Sequence, residues 1–129
     1  MATWTKTART VIAAATSNAA GSTTRGTLAL TTADGGLLTV KITNGGTGPT
    51  LQAVANVLVA HNASTPSAGS AGTDWKTLYQ VGNGTVSGTI GEWAFDIPGG
   101  IMQLEVELTG NTGQAVTCES YLSEKTSFA

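Results

Sequence analysis

Two carboxylates placed two residues apart, Glu105 and Glu107, are the first place in this chain to look for chemistry. They belong to a run in which Met102, Leu104, Val106 and Leu108 alternate with Gln103, Glu105, Glu107 and Thr109. Strand side chains point to opposite faces with a period of two, so the run has one dry face and one wet face, with both carboxylates on the wet one. Strand rise separates them by roughly 7 Å, within the about 5–10 Å that a glycoside-cleaving pair needs. What is missing is a cleft. The expectation is therefore a solvated acidic row, joined by Glu119 from a neighbouring strand, or else a weak cation site or a seat for an Arg or Lys of another chain that relieves the like charges.

Other reactive types occur singly. His61 is the one histidine and Cys118 the one cysteine, so no internal disulfide can form. Cys118 is in phase with Val116 and Leu122 and reads as a small buried hydrophobe. No HExxH, GxSxG, EF-hand loop or Cys/His zinc spacing occurs. The glycines at 45, 46 and 48 lack the Lys-Ser/Thr ending and following helix of a phosphate loop. We expect no enzyme, no cofactor and no metal. Trp75, Thr77 and Tyr79 share one face of a predicted strand; such aromatics either pack in a core or stack on a sugar or a partner.

The bulk numbers agree with a binding or structural role. A chain of 129 residues fits one domain. Only 11% of residues are charged, against a usual ~25%, so the polar surface must come from Thr, Ser, Asn, Gln and Gly. Residues 1–64 carry four basic groups against one acid, a net +3, and residues 65–129 carry two against seven, a net −5. This is either scattered solvated charge or complementary faces between copies. The six basic residues form no patch, which disfavours nucleic acid. No apolar run reaches the ~18 residues of a membrane span. The N-terminus lacks an apolar signal core, so synthesis in a cytoplasm is expected.

The elements that must hold these residues are short strands between glycine-marked turns. Residues 7–16, 25–32, 37–43, 51–60, 74–81, 85–97, 101–109 and 115–123 read as strands, with a break near Gly88 and Gly91. Asp34-Gly35-Gly36 predicts a hairpin between 25–32 and 37–43. Residues 1–6 are expected to form an N-terminal arm carrying Trp4, residues 7–129 a single sandwich domain, and residues 61–73 a long exposed loop. Asn62-Ala63-Ser64 and Asn83-Gly84-Thr85 match a glycosylation triplet by chance. The fold class is all-β: a two-sheet antiparallel sandwich of about eight strands, jelly-roll-like, with an immunoglobulin-like sandwich as the alternative.

Ile42-Thr43-Asn44-Gly45-Gly46-Thr47-Gly48-Pro49, Trp75, Ile97-Pro98-Gly99-Gly100 and Asn111-Thr112-Gly113-Gln114-Ala115-Val116-Thr117 together resemble small virion proteins of tailed bacteriophages, the capsid decoration or cement proteins. The resemblance covers most of residues 25–123. It implies a structural virion protein on the outer capsid surface, a homo-oligomer (dimer or trimer) that bridges and stabilises major capsid protein subunits. A tail or fibre protein, or a receptor- or carbohydrate-binding sandwich, is the alternative. Trp4, Lys6, Arg9, Asn44, Thr47, Pro49, His61, Trp75, Glu105 and Glu107 are the candidate partner contacts.

Overall fold

A computed structural model describes residues 3–68 and 74–128. They form eight strands and no helix: β1 (Trp4–Asn18), β2 (Thr24–Ala29), β3 (Gly36–Asn44), β4 (Val54–Ala60), β5 (Lys76–Gly82), β6 (Ile90–Ile97), β7 (Gln103–Thr109) and β8 (Val116–Phe128). One sheet, called A here, has the order β1-β8-β3-β6, and the other, sheet B, the order β2-β7-β4-β5. Every pairing is antiparallel. Only β4 and β5 are both consecutive in sequence and hydrogen-bonded neighbours. The other connections cross between sheets, which is the doubly interlocked order of a jelly roll and not the immunoglobulin order.

Alternation builds the core. Leu38, Val40 and Ile42 of β3 face Leu104, Val106 and Leu108 of β7 across the sandwich, all at 3% exposure or less. Each such side chain contributes about 1.5–3 kcal/mol by leaving water. Val116, Cys118 and Leu122 of β8 complete the layer on the sheet A side. Both long edges are closed as well. At one, Tyr79 of β5 stacks on Phe95 of β6 with centroids 4.5 Å apart, and the Tyr79 hydroxyl donates to the Asp96 carbonyl at 2.9 Å. At the other, Arg9 of β1 donates to the Ala29 carbonyl of β2 at 3.2 Å and pairs with Glu124 at 3.2 Å. Beside it β1 and β2 run so close that a Cβ on Gly26 would overlap the Val11 carbonyl.

Several expectations are corrected. Residues 25–32 and 37–43 do not pair: β2 lies in sheet B against β7, and β3 in sheet A between β6 and β8. The turn holding Gly35 at φ 69° is the crossing between the sheets, and Leu30 just before it is buried in the core. Trp75 and Tyr79 do not share a face. Leu58 pairs with Thr77 directly after Val57 pairs with Tyr79, so Leu78 is an extra residue on β5. A bulge of this kind reverses the facing of everything beyond it. Tyr79 therefore points into the core, while Trp75 lies on the outer side of sheet B with Leu58 and Ala60.

The expected wet face of β7 is mostly dry. Residues 61–68 turn back over it: Gln103 Nε2 donates to the Asn62 carbonyl at 3.1 Å, Thr65 Oγ1 donates to Gln103 Oε1 at 2.8 Å, and the Trp75 indole donates to the Ser67 carbonyl at 3.0 Å. Under this cover Gln103 and Glu105 are fully buried. The loop is exposed as expected at residues 61, 63–65, 67 and 68 and also forms a lid on its own sheet, and residues 69–73 of it lie outside the described residues.

Of the expected N-terminal arm, Met1 and Ala2 lie outside the described residues, while Trp4 to Lys6 belong to β1. They pair with the end of β8 (Trp4 with Phe128, Lys6 with Lys125). β3 stops opposite Glu124, so this terminal ribbon continues past the four-stranded part of sheet A as two strands. The Lys125 ammonium sits 5.3 Å from the Trp4 ring centroid, a cation–π contact that helps hold the ribbon.

Candidate binding site

The candidate contacts from sequence do not gather on one surface. Trp4, Lys6, Thr47 and His61 are exposed but divided between the two ends of the sandwich. Asn44, Pro49, Trp75 and Glu105 are buried and are not available as contacts. Arg9 is half-buried and serves the Glu124 pair. Glu107 receives Arg25 at 3.2 Å and the Asn56 amide at 3.1 Å, so its charge is answered within the chain. The acidic row is thereby divided: Glu105 is covered, Glu107 is paired, and Glu119 lies in the other sheet. The ion pairs Arg9–Glu124, Arg25–Glu107 and Lys41–Glu119 each join the basic first half to the acidic second half. Charge asymmetry along the sequence is largely answered by folding.

Two open surfaces stand out among the described residues. The first is the end of the sandwich formed by the β1–β2, β3–β4, β5–β6 and β7–β8 loops. Two buried asparagine pairs fix it. Asn18 Nδ2 donates to Asn111 Oδ1 at 2.6 Å, while Asn111 Nδ2 donates to the Asn18 and Gln114 carbonyls. Asn83 Nδ2 donates to Asn44 Oδ1 at 3.0 Å, and Asn44 Nδ2 reaches the Gly84 and Val86 carbonyls. Asparagine suits these positions because one amide offers donors and an acceptor to backbone that has left the sheets. The pairing also buries Asn83, which agrees with its triplet arising by chance. On this fixed end Leu51, Val86 and Ile90 are 57–69% exposed.

The second surface is a trough of about 480 Å³ on the outer face of sheet A. Its floor is β3, and its walls rise from β6 and β8. Register places Lys41 of β3 between Glu92 of β6 and Glu119 of β8, and Thr39 between Ala94 and Tyr121. Lys41 Nζ lies 3.6 Å from Glu119 Oε1. The Tyr121 phenol is pushed above its ordinary pKa by desolvation first, then by its hydrogen bond to Glu119 and that carboxylate's charge, against a lowering contact from the Ala14 backbone. Ala14 belongs to an irregular step in β1. There Ile12 pairs with Ser120 and Thr16 with Cys118, so residues 13–15 stand opposite Glu119 alone. Ala15 takes φ 57°, a left-handed value uncommon for a residue with a Cβ.

Sequence reading does not single out Lys41, Glu92 or Tyr121 as site residues. The one available signal is that Lys41 falls on the outward phase of β3. Its neighbours at 92, 119 and 121 become neighbours only through strand order. Among the described residues no three His, Cys, Asp or Glu side chains converge in a metal-binding group.

No protein-family model matches the chain, and no curated protein matches it at significant sequence similarity. Similarity appears among solved structures. The K3 cleaved adhesin domain of Lys-gingipain from Porphyromonas gingivalis aligns over 84% of this chain and 73% of its own, with TM-score 0.62 and 12% identity. A structure of infectious bursal disease virus, Gx strain, aligns over 93% of this chain and 31% of that chain, with TM-score 0.55 and 12% identity. The SPBc2 prophage-derived protein YomS aligns over 95% of both chains at 20% identity, with TM-score 0.47. At such identities the likeness is one of fold: this chain is an eight-stranded antiparallel sandwich of a kind found in both a virus structure and an adhesin domain.

Proposed function

We propose that the protein is a structural component of a bacteriophage particle, a decoration protein that binds the outer capsid surface and bridges neighbouring major capsid protein subunits. The observation that carries this reading is the loop end with Leu51, Val86 and Ile90. Large apolar side chains are held out to solvent there on loops that buried asparagines make rigid. Rigid presentation lowers the ordering cost of docking, and apolar residues at the centre of a contact supply most of its free energy. The fold's likeness to a domain in a virus structure is compatible with the reading, as is the resemblance of the turn sequences to cement proteins. A protein that binds the assembled shell but not the free subunit stabilises the shell by mass action.

The test is to incubate purified protein with heads of a phage that encodes it, prepared without it. Expected outcomes are density on the outside of the shell by electron microscopy and a higher temperature of DNA release. The variant carrying Leu51→Ser, Val86→Ser and Ile90→Ser should stay folded and fail to bind. Density confined to the tail, or full binding by the triple variant, would overturn the reading. The alternative of a receptor- or carbohydrate-binding module is favoured by one specific observation, the open trough on sheet A.

A further inference from the structure

The two outer faces of the sandwich are treated differently. Sheet B is covered by the chain's own residues 61–68 and Trp75. Sheet A is left open where its trough lies, and its polar groups are arranged by cross-strand register. We propose that this trough is a binding site for a neutral oligosaccharide of about two or three sugar units. A volume of about 480 Å³ lies within the range of small-molecule sites.

Charge narrows the ligand class. An anionic ligand would meet the carboxylates of Glu92 and Glu119, and a cationic one would meet Lys41, which already sits between them. The balance is two carboxylates to one ammonium, which disfavours an anion; Glu119 is engaged by Lys41, and a cation drawn to Glu92, which no ion pair among the described residues engages, would meet the Lys41 ammonium opposite it in register. A neutral polyol suffers no such conflict, because its hydroxyls donate to the carboxylates and accept from the ammonium, so both partners of the Lys41–Glu119 pair remain useful. The half-buried Tyr121 ring, with Ala94 and the Thr39 methyl, adds an apolar component against which the C–H face of a sugar can rest.

Position is fixed by more than exposed side chains. Tyr121 shares the outward face of β8 with Glu119, between Thr39 of β3 and Thr10 of β1 in register. The irregular β1 step stands opposite Glu119, and in it Ala15 adopts a left-handed conformation. Strained backbone next to an open site is a recurrent mark of a surface shaped for a ligand. The trough is separate from the surface proposed to meet the capsid. Binding there needs no partner protein, and it uses a different face from Leu51, Val86 and Ile90.

The experiment is an NMR titration of the isotopically labelled full chain with a panel of defined neutral trisaccharides: maltotriose, cellotriose and mannotriose. Sialyllactose and spermine serve as anionic and cationic probes. At least one neutral sugar should bind with Kd at or below about 1 mM, shifting amides of residues 39–41, 92–94 and 119–121. Tyr121→Ala should weaken that binding about tenfold while Tyr121→Phe retains most of it, and Lys41→Met should also weaken it. Val86→Ser, at the other surface, should leave it unchanged. Dispersed spectra of each variant establish that it is folded. No binding by any neutral sugar up to about 10 mM, shifts mapping elsewhere, or preference for sialyllactose or spermine would overturn the proposal.

Discussion

Replacing Trp75 by alanine tests whether residues 61–68 are a built-in cover for sheet B. The indole is 1% exposed, rests on Leu58 and Ala60, and donates to the Ser67 carbonyl at 3.0 Å. A buried aromatic removes roughly 150–250 Å² from water. At about 25 cal/mol per Å² that corresponds to about 4–6 kcal/mol, an upper bound because the unfolded chain already hides part of this surface. Loss of the indole bond adds about 1 kcal/mol. Against these stands relaxation: the cluster has only three members and lies at the surface, so water and the loop can fill the space. The expected cost is therefore near the low end for Trp→Ala, about 3 kcal/mol, which leaves a domain of ordinary stability folded. Urea unfolding measures that loss. Limited proteolysis should show faster cleavage within residues 61–68, whose anchor is gone. Trp75→Phe, which keeps the ring and loses the donor, should cost about 1–2 kcal/mol. A loss below about 1 kcal/mol for Trp75→Ala, with unchanged protease resistance, would refute the claim that Trp75 pins the cover.

Further expectations follow from the two close strands and from the irregular step in β1. Gly26→Ala places a Cβ against the Val11 carbonyl, which is backbone and cannot swing aside; we expect a loss of about 2–4 kcal/mol, seen as a lower urea midpoint, because β1 and β2 must separate. Ala15→Gly relieves a left-handed residue at φ 57°; the relief of about 1–2 kcal/mol, less the extra freedom of glycine in the unfolded chain, should give a net gain of up to about 1 kcal/mol by the same assay. Burial, and next the charge of Glu119, push the Cys118 thiol from 9.0 up to about 11. A raised folded-state pKa means that the native state keeps its proton longer than the unfolded chain. The contribution is therefore full below pH 9.0 and lost as pH rises through about 11. Thermal melts at pH 8 and pH 11 should show a smaller alkaline drop for Cys118→Ala than for the parent, and equal drops would count against the assignment.

Sequence alone determined much of the framework. Alternation in residues 37–43 and 102–109 is a local property of a strand with one dry face, so β3 and β7 and their inward residues were legible without a structure. Cys118 as a buried side chain followed from the same phase rule. Turn spacing predicted about eight strands in two sheets and left the jelly-roll and immunoglobulin-like orders open; the sheet order is the jelly-roll one.

Tertiary structure decided the rest, because outward faces carry no local signal of what covers them. Glu105 and Lys41 both sit on the polar phase of a strand. One is fully buried on the outer side of sheet B, the side that residues 61–68 and Trp75 cover, and the other lines an open trough. Periodicity treats them alike; only the path of a distant loop separates them. The Asp34-Gly35 turn looks like a hairpin locally and is a crossing between sheets: β2 pairs with β7, and β3 lies between β6 and β8. One extra residue at Leu78 sends Trp75 and Tyr79 to opposite faces. Lys41, Glu92, Glu119 and Tyr121 come from three strands far apart in the chain. They form one surface because hydrogen-bonded register, which no single stretch of sequence encodes, sets them side by side.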